Sequence, residues 1–422
     1  MLKGVYEILN NSRYAFLAAL ISRPAGLLIF SVWIAHRWSF AEIALFESFS
    51  VFQFLLFFAW LPAWGNITLL QTTREDELSQ KSFLFSNIFF GWVLLSVVYL
   101  AFSFFWTSLL PGVDRSSHWI TVYLLVLFYY FLQVHIFKYY LEDNPGIQWF
   151  IASGLFLSWV VLGFLARDFN SYLRYQVIAN ALLLLVLKRG RIQPLAIQWK
   201  FWKHVLVYSI YSFTGGLGPI LAAYFVQFRF GLGNELNWFR YGTRELPILP
   251  AWLAGFGQSH LKENLDDGNQ LEALKNGVTQ QIRWTILPLS LLILFSKPLF
   301  SLLFGSSFEA ASDLMSLFLL IYIPRMVFSQ IILQYRQANT ALLFTGIVEL
   351  TFMIISALIW VPVYGLEALV GILVAGSFLE KGIHILHLWW KYKIPVSYYL
   401  PVKSFLIFMI VLCTAFGLKY IL

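Results

Sequence analysis

Leu94-Leu95-Ser96-Val97-Val98-Tyr99-Leu100-Ala101-Phe102-Ser103-Phe104-Phe105 is apolar at ten of its twelve positions and does not alternate. A membrane-crossing β-strand alternates polar and apolar residues over about ten positions. A crossing helix instead needs about 20 predominantly apolar residues in a row. This stretch lies inside a longer run, Ser82 to Trp106, so it reads as a helix. Ala181-Leu182-Leu183-Leu184-Leu185-Val186-Leu187 repeats the pattern. Around these runs, 59% of the 422 residues are apolar and 12% are charged, against about 45–50% and about 25% in soluble domains. The fold class is therefore an all-α polytopic membrane protein, with no room for a sizeable water-soluble domain.

Thirteen spans are predicted: Ser12–Ala35, Phe40–Gly65, Ser82–Trp106, Ser117–Lys138, Ile147–Ala166, Ser171–Leu187, His204–Phe228, Glu235–Ser259, Val278–Phe304, Glu309–Arg336, Leu342–Val361, Gly365–Trp390 and Pro401–Leu418. With a cytoplasmic N-terminus, the inner loops collect fifteen Lys and Arg, from Lys3 to Lys403. The outer side collects six: Arg37, Arg115, Arg167, Arg229, Lys297 and Lys419. That is the positive-inside bias. The first run is long and lacks a small-residue cleavage site, so it reads as a retained span.

The longest polar stretch, Lys188 to Lys203, carries five basic residues. It divides the chain into an N-terminal six-helix bundle (1–190), a basic cytoplasmic linker (191–203) and a C-terminal six-helix bundle (204–392). One additional transmembrane helix follows (393–422). Leu61-Pro62-Ala63-Trp64 followed by Arg74-Glu75 matches Leu249-Pro250-Ala251-Trp252 followed by Lys262-Glu263 without a gap. Both copies close the second span of their half. The two bundles are therefore expected to be related by a pseudo-two-fold along the membrane normal, as in parallel-repeat transporters.

Ionisable residues far from span ends are the candidate site. Arg23 lies in span one, Arg240, Arg244 and Glu245 in span eight, and Arg325 in span ten. An Arg at a helix centre costs about 2.5–3.5 kcal/mol on the translocon scale, so each needs a wet cavity or a counter-ion. Glu47 is a candidate structural partner for Arg23. The functional alternative places Arg23 on one wall of a cavity and Arg240, Arg244 and Arg325 on the other. A guanidinium fork suits a phosphate. Arg325, Ser329 and Arg336 fall on one helical face with Gln330 and Gln334 beside it, a path a sugar could wet. Glu349 and Glu380 are the carboxylates that could couple transport to Na⁺ or H⁺, with pairing to Lys381 or an Arg as the structural alternative. Glu380, His384 and His387 read as interfacial residues rather than a metal cluster.

Several classes are excluded. One cysteine, Cys413, allows no intrachain disulfide and no multi-cysteine metal site. The net charge of +8 is scattered over short loops, so it marks topology rather than nucleic acid. No Walker A loop, nucleophile elbow or His-Glu-x-x-His motif occurs, and no cofactor or metal is expected. Gly215-Gly216-x-Gly218-Pro219 reads as a flexible break within span seven.

The order of these elements resembles the bacterial flippases of undecaprenyl-diphosphate-linked oligosaccharides (O-antigen and polysaccharide type), within the multidrug/oligosaccharidyl-lipid/polysaccharide exporter superfamily. The resemblance covers nearly the whole chain. It is carried by Ser22-Arg23 with Gly26, and by Ala35-His36-Arg37-Trp38-Ser39-Phe40-Ala41-Glu42. In the second half it is carried by Phe239-Arg240-Tyr241-Gly242-Thr243-Arg244-Glu245-Leu246, by Leu303-Phe304-Gly305-Ser306-Ser307-Phe308-Glu309-Ala310-Ala311, and by Val361-Pro362-Val363-Tyr364-Gly365-Leu366-Glu367-Ala368.

The resemblance implies two bundles around a cationic cavity that opens alternately to each face, in the bacterial inner membrane. It also implies Arg23 as the first-span basic position of related lipid II flippases, with Arg244 in the span that carries another. Two departures stand out: span seven lacks the family's acidic residue near Gln227 and Arg229, and the span number is odd. The expected partners are a polyprenyl-diphosphate-linked oligosaccharide, membrane lipids, and a glycan polymerase and glycosyltransferases, with no nucleic acid. The expected function is non-enzymatic. The alternatives are a multidrug/cation antiporter of the same fold, which would want acidic residues for cationic drugs, and an integral-membrane glycan polymerase or ligase, which would want a large outer loop.

Overall fold

The computed structural model describes residues 11–58, 61, 64–65, 77–187, 199–244, 248–260 and 268–421. Among these it is helical, with no strand. Six helices are long and apolar enough to cross a membrane, or eight when two bent pairs are each taken as one crossing. Two compact units form, one from residues 1–57, 67–204 and 246–255, the other from 58–66, 205–245 and 256–422. The basic stretch 191–198, Glu245, and the charged pairs that follow the two Leu-Pro-Ala-Trp copies lie outside the described residues.

In the first unit, α1 (Ser12–Ala35), α2 (Phe40–Phe58), α3 (Glu77–Ser103), α4 (Arg115–Leu141), α5 (Pro145–Leu165) and α6 (Phe169–Val186) follow the predicted runs closely. α1 packs along α5, and Gly26 allows the approach: a Cβ there would lie 2.6 Å from the Trp159 Cβ. Around that seam Phe30, Phe46, Trp159 and Tyr172 form a buried aromatic core, with ring centroids 5.1–5.9 Å apart. Such edge and offset contacts add to the burial energy.

The Ala35–Glu42 motif gains a structural role here. Trp38 Nε1 donates to the Ala166 carbonyl at 3.3 Å, and the Phe169 amide donates to Glu42 Oε2 at 2.8 Å. The motif thus closes the first turn of α6, which Asp168 and Ser171 cap reciprocally.

Asp114 caps α4. Hydrogen bonds from the Ser116 and Ser117 hydroxyls and amides hold its carboxyl at about 2, well below the usual carboxylate range. A group whose folded value is lowered stabilises the fold above its unfolded value, about 3.9, and loses that contribution as pH falls through the folded one. Asp114→Ala is therefore expected to melt below the wild type at neutral pH, with the gap narrowing as pH drops from about 5 to about 2. A gap independent of pH in scanning fluorimetry would refute the assignment.

In the second unit, α7 (Trp199–Phe230) runs unbroken through Gly215-Gly216-x-Gly218-Pro219, so the expected flexible break is not there. Gly218 serves close packing instead: its missing Cβ makes room for the Met353 sulfur, 2.5 Å from where that Cβ would sit.

Three predicted spans are interrupted. Span eight is split into α8 (Asn234–Thr243) and α9 (Ile248–His260). In the sequence a proline follows at position 247, and a proline has no amide with which to continue the helical hydrogen bonding. Span nine divides into α10 (Gly268–Leu294) and α11 (Ser296–Phe304), bent by 78°, because Pro298 forbids a straight helix past Leu294. Span ten becomes α12 (Ala311–Phe318), a tight turn, α13 (Tyr322–Arg325) and α14 (Ser329–Tyr335), with a 47° bend.

α15 (Asn339–Tyr392) contains 54 residues, about 80 Å if straight, yet Gly376 packs against Met353 and Glu349. The helix therefore folds back on itself at Gly365, where φ is 64° and ψ −144°. Only glycine adopts that conformation readily. The two arms correspond to predicted spans eleven and twelve. α16 (Val402–Lys419) packs on α10. Its Lys419 Nζ donates to Asp313 Oδ1 at 2.6 Å and Ser316 Oγ at 2.7 Å.

Candidate functional site

Arg23 sits in the middle of α1 and is half-buried. Its Nη2 donates to the amide oxygen of Gln53 at 3.0 Å, and its Cζ lies 3.6 Å from the centroid of the Tyr129 ring. Tyr129 is held edge-on by Phe57, 4.9 Å away. α1, α2 and α4 thus combine to aim one guanidinium, and both of these partners are neutral. The hydrogen bond and the ring orient the fork without cancelling its charge. Glu47, buried one helix away on α2, reaches the same region electrostatically through Tyr172. Gln53 and Tyr129 escaped the sequence reading. Gln53 left a signal, an amide alone in a Phe- and Leu-rich run, whereas Tyr129 is one aromatic among many.

The other three arginines belong to the second unit. Arg240 lies on α8, near the Tyr224 hydroxyl. Arg244 is not inside a helix, as expected, but just past the end of α8, with ψ 100° and its Cζ 5.1 Å from the Tyr241 ring centroid. Tyr241 in turn packs on Phe304 and Phe308, with centroids 5.0 and 4.3 Å away. Trp238 Nε1 donates to the Ser307 carbonyl at 2.8 Å. Gly242 lets α8 approach α12: a Cβ there would meet Leu314 at 2.6 Å and the Ala311 carbonyl at 2.8 Å. The described residues 238–244 and the stretch 303–314 therefore form one packed corner that fixes where α8 ends and where Arg244 begins.

Arg325 ends α13, 5.8 Å from the Tyr322 ring centroid. The break after it means that Arg325, Ser329 and Arg336 do not share one continuous helical face, which corrects the expected polar stripe. Ser329 and Gln334 are buried.

Glu349 and Glu380, on opposite arms of α15, do meet. Both are buried, and they interact electrostatically with each other, with Lys381 and with Arg325. Lys381 Nζ lies 3.0 Å from each Glu380 oxygen and 3.2 Å from Gln330 Oε1. His384 is buried one turn along, its Nδ1 3.9 Å from Glu380. Glu380 and His384 are thus both buried within the protein. Among the described residues no group of His, Cys, Asp and Glu could hold a metal ion.

By sequence, no family profile and no curated protein matches the chain. Solved structures do resemble it. The lipid II flippase MurJ in an inward closed conformation has a TM-score of 0.64 at 16% identity, over 95% of this chain and 91% of that one. The MATE multidrug transporter DinF-BH has a TM-score of 0.66 at 15% identity, over 91% and 95%. An outward-facing multidrug resistance MATE family transporter of the MOP superfamily has 0.59 at 14%, over 97% and 98%.

The chain shares the fold of these three proteins. The likeness spans both proteins nearly end to end in each case, so the shared fold accounts for nearly the whole chain and not for one bundle. Of these three, one is named a flippase and two are named transporters. The multi-pass membrane reading rests on this fold together with the apolar helices.

Proposed function

We propose that the chain is a flippase that moves a polyprenyl-diphosphate-linked oligosaccharide from the cytoplasmic to the outer leaflet of the bacterial inner membrane by alternating access. Its N-terminus is cytoplasmic, and it works beside the glycosyltransferases that build the oligosaccharide and the polymerase that consumes it. The observation that carries the reading is Arg23, a guanidinium in the middle of an apolar helix, oriented by a neutral amide and an aromatic ring. A fork held that way keeps its affinity for a diphosphate. Arg240, Arg244 and Arg325 are assigned to the same substrate, and Glu349 and Glu380 to energy coupling. The fold shared with a lipid II flippase supports this assignment.

The equal likeness to MATE transporters favours a second reading, an antiporter of cationic drugs. Reconstitution separates the two. Proteoliposomes should move a diphosphate-linked glycolipid into the leaflet where an added glycosidase can reach it, and should not accumulate a lipophilic dye cation. Dye transport without glycolipid movement would reverse the choice.

A further inference from the structure

An ammonium group has three hydrogens to donate and no acceptor. Lys381 directs them at oxygens: its Nζ donates to Glu380 Oε1 at 3.0 Å and to Gln330 Oε1 at 3.2 Å, and pairs with Glu380 Oε2 at 3.0 Å. Lys381 and Glu380 are 8% and 9% exposed. A fourth oxygen stands by. Glu349, 6% exposed, has its Oε2 buried without a hydrogen-bond partner, and interacts electrostatically with Glu380, Lys381 and Arg325. Gly376, on the same arm as Lys381, makes this convergence possible: its absent Cβ would sit 3.6 Å from Glu349 Cγ and 2.5 Å from Met353 Cε.

Carboxylate and carbonyl oxygens gathered round one positive charge are the donor set that hard metal cations take. Here the positive charge is part of the chain. The groups facing it are Glu380 and His384 on its own arm, Glu349 on the other arm, Arg325 on α13 and Gln330 on α14.

We infer that Lys381 is a tethered cation filling an oxygen-lined position in the second unit, so that this position takes no alkali cation, and that removing the ammonium opens it to Na⁺. A buried carboxylate needs a compensating charge. With Lys381 gone, Glu380, Gln330 and the idle oxygen of Glu349 would supply the ligands for a small ion. The inference rests on the transporter reading for its meaning in energy coupling, but its test contains no transport substrate. Failure here would leave the flippase assignment standing, and the reverse also holds.

The experiment compares melting temperatures of the purified full-length protein in sodium and choline chloride at matched ionic strength. The wild type should melt at the same temperature in both. Lys381→Met should melt lower in choline and gain a saturable Na⁺-specific rise of about 2–4 °C. The double variant Lys381→Met with Glu380→Gln should lose that response, and Lys381→Arg, which keeps a cation in place, should never show it. A second measurement, binding of radioactive sodium to the wild-type protein, does not depend on any variant folding, and should give no bound ion. One sodium bound per wild-type chain, or a folded Lys381→Met protein blind to Na⁺, would overturn the inference.

Discussion

Arg23→Ala is expected to abolish surface glycan in cells and to slow glycolipid movement in proteoliposomes by roughly 30- to 700-fold. The magnitude follows from the chemistry of the lost contact. A guanidinium on a diphosphate makes two parallel hydrogen bonds to a charged group. Each is worth about 1.5–3 kcal/mol; discounting for the wet surroundings leaves about 2–4 kcal/mol, with each 1.4 kcal/mol a factor of ten. Arg23→Lys keeps the charge but loses the fork, so it should recover only part of the rate. Gln53→Ala should weaken glycolipid affinity without removing the charge, because Gln53 positions the fork and does not replace it. Normal transport by a well-expressed Arg23→Ala protein would remove the basis of the flippase reading; full rescue by Lys would reduce Arg23 to a generic charge.

The second large effect concerns stability. Glu380→Leu leaves the Lys381 ammonium buried beside Gln330, and removing one partner of a buried ion pair costs about 3–5 kcal/mol. Glu380→Leu combined with Lys381→Met removes both charges and should restore most of that loss, since replacing a whole buried pair by apolar groups is often close to neutral. The two single variants and the double variant therefore form a cycle with strong positive coupling. Denaturation titrations in mixed micelles measure it. Additive losses would mean that the ammonium and the carboxylate do not depend on each other, contrary to the 3.0 Å contacts.

The sequence made the crossing helices legible wherever an apolar run ended at a capping residue. α1 begins and ends where its run does, at Ser12 and Ala35, and α6 begins within two residues of the predicted Ser171, behind Asp168. It failed where a single residue overrides a run. Pro298 and the turn at Met326–Phe328 cut helices whose hydropathy is continuous. Conversely, the glycines of α7 looked like a weak point, but the helix continues through them and Gly218 accommodates Met353, a packing fact that no local pattern records.

The site was legible as a list of charges and not as an arrangement. Arg23 stood out because nothing near it in sequence could pair with it. Its actual partners come from α2 and α4, some 30 and 106 residues away. Glu349 and Glu380 were found one by one, but their meeting depends on the reversal at Gly365.

That reversal has an electrical consequence. Glu349 lies 16 residues before Gly365 and Glu380 15 residues after it, so both sit about 23 Å below the turn along their helices, in a core about 30 Å thick. With the turn at one membrane face, an ion or proton reaching them from that side would cross most of the transmembrane voltage, where a full crossing is worth about 2.3 kcal/mol per elementary charge per 100 mV. Any proton that passes through Glu349 therefore carries current, and a cycle that used it would run faster in an energised membrane even with the same pH on both sides.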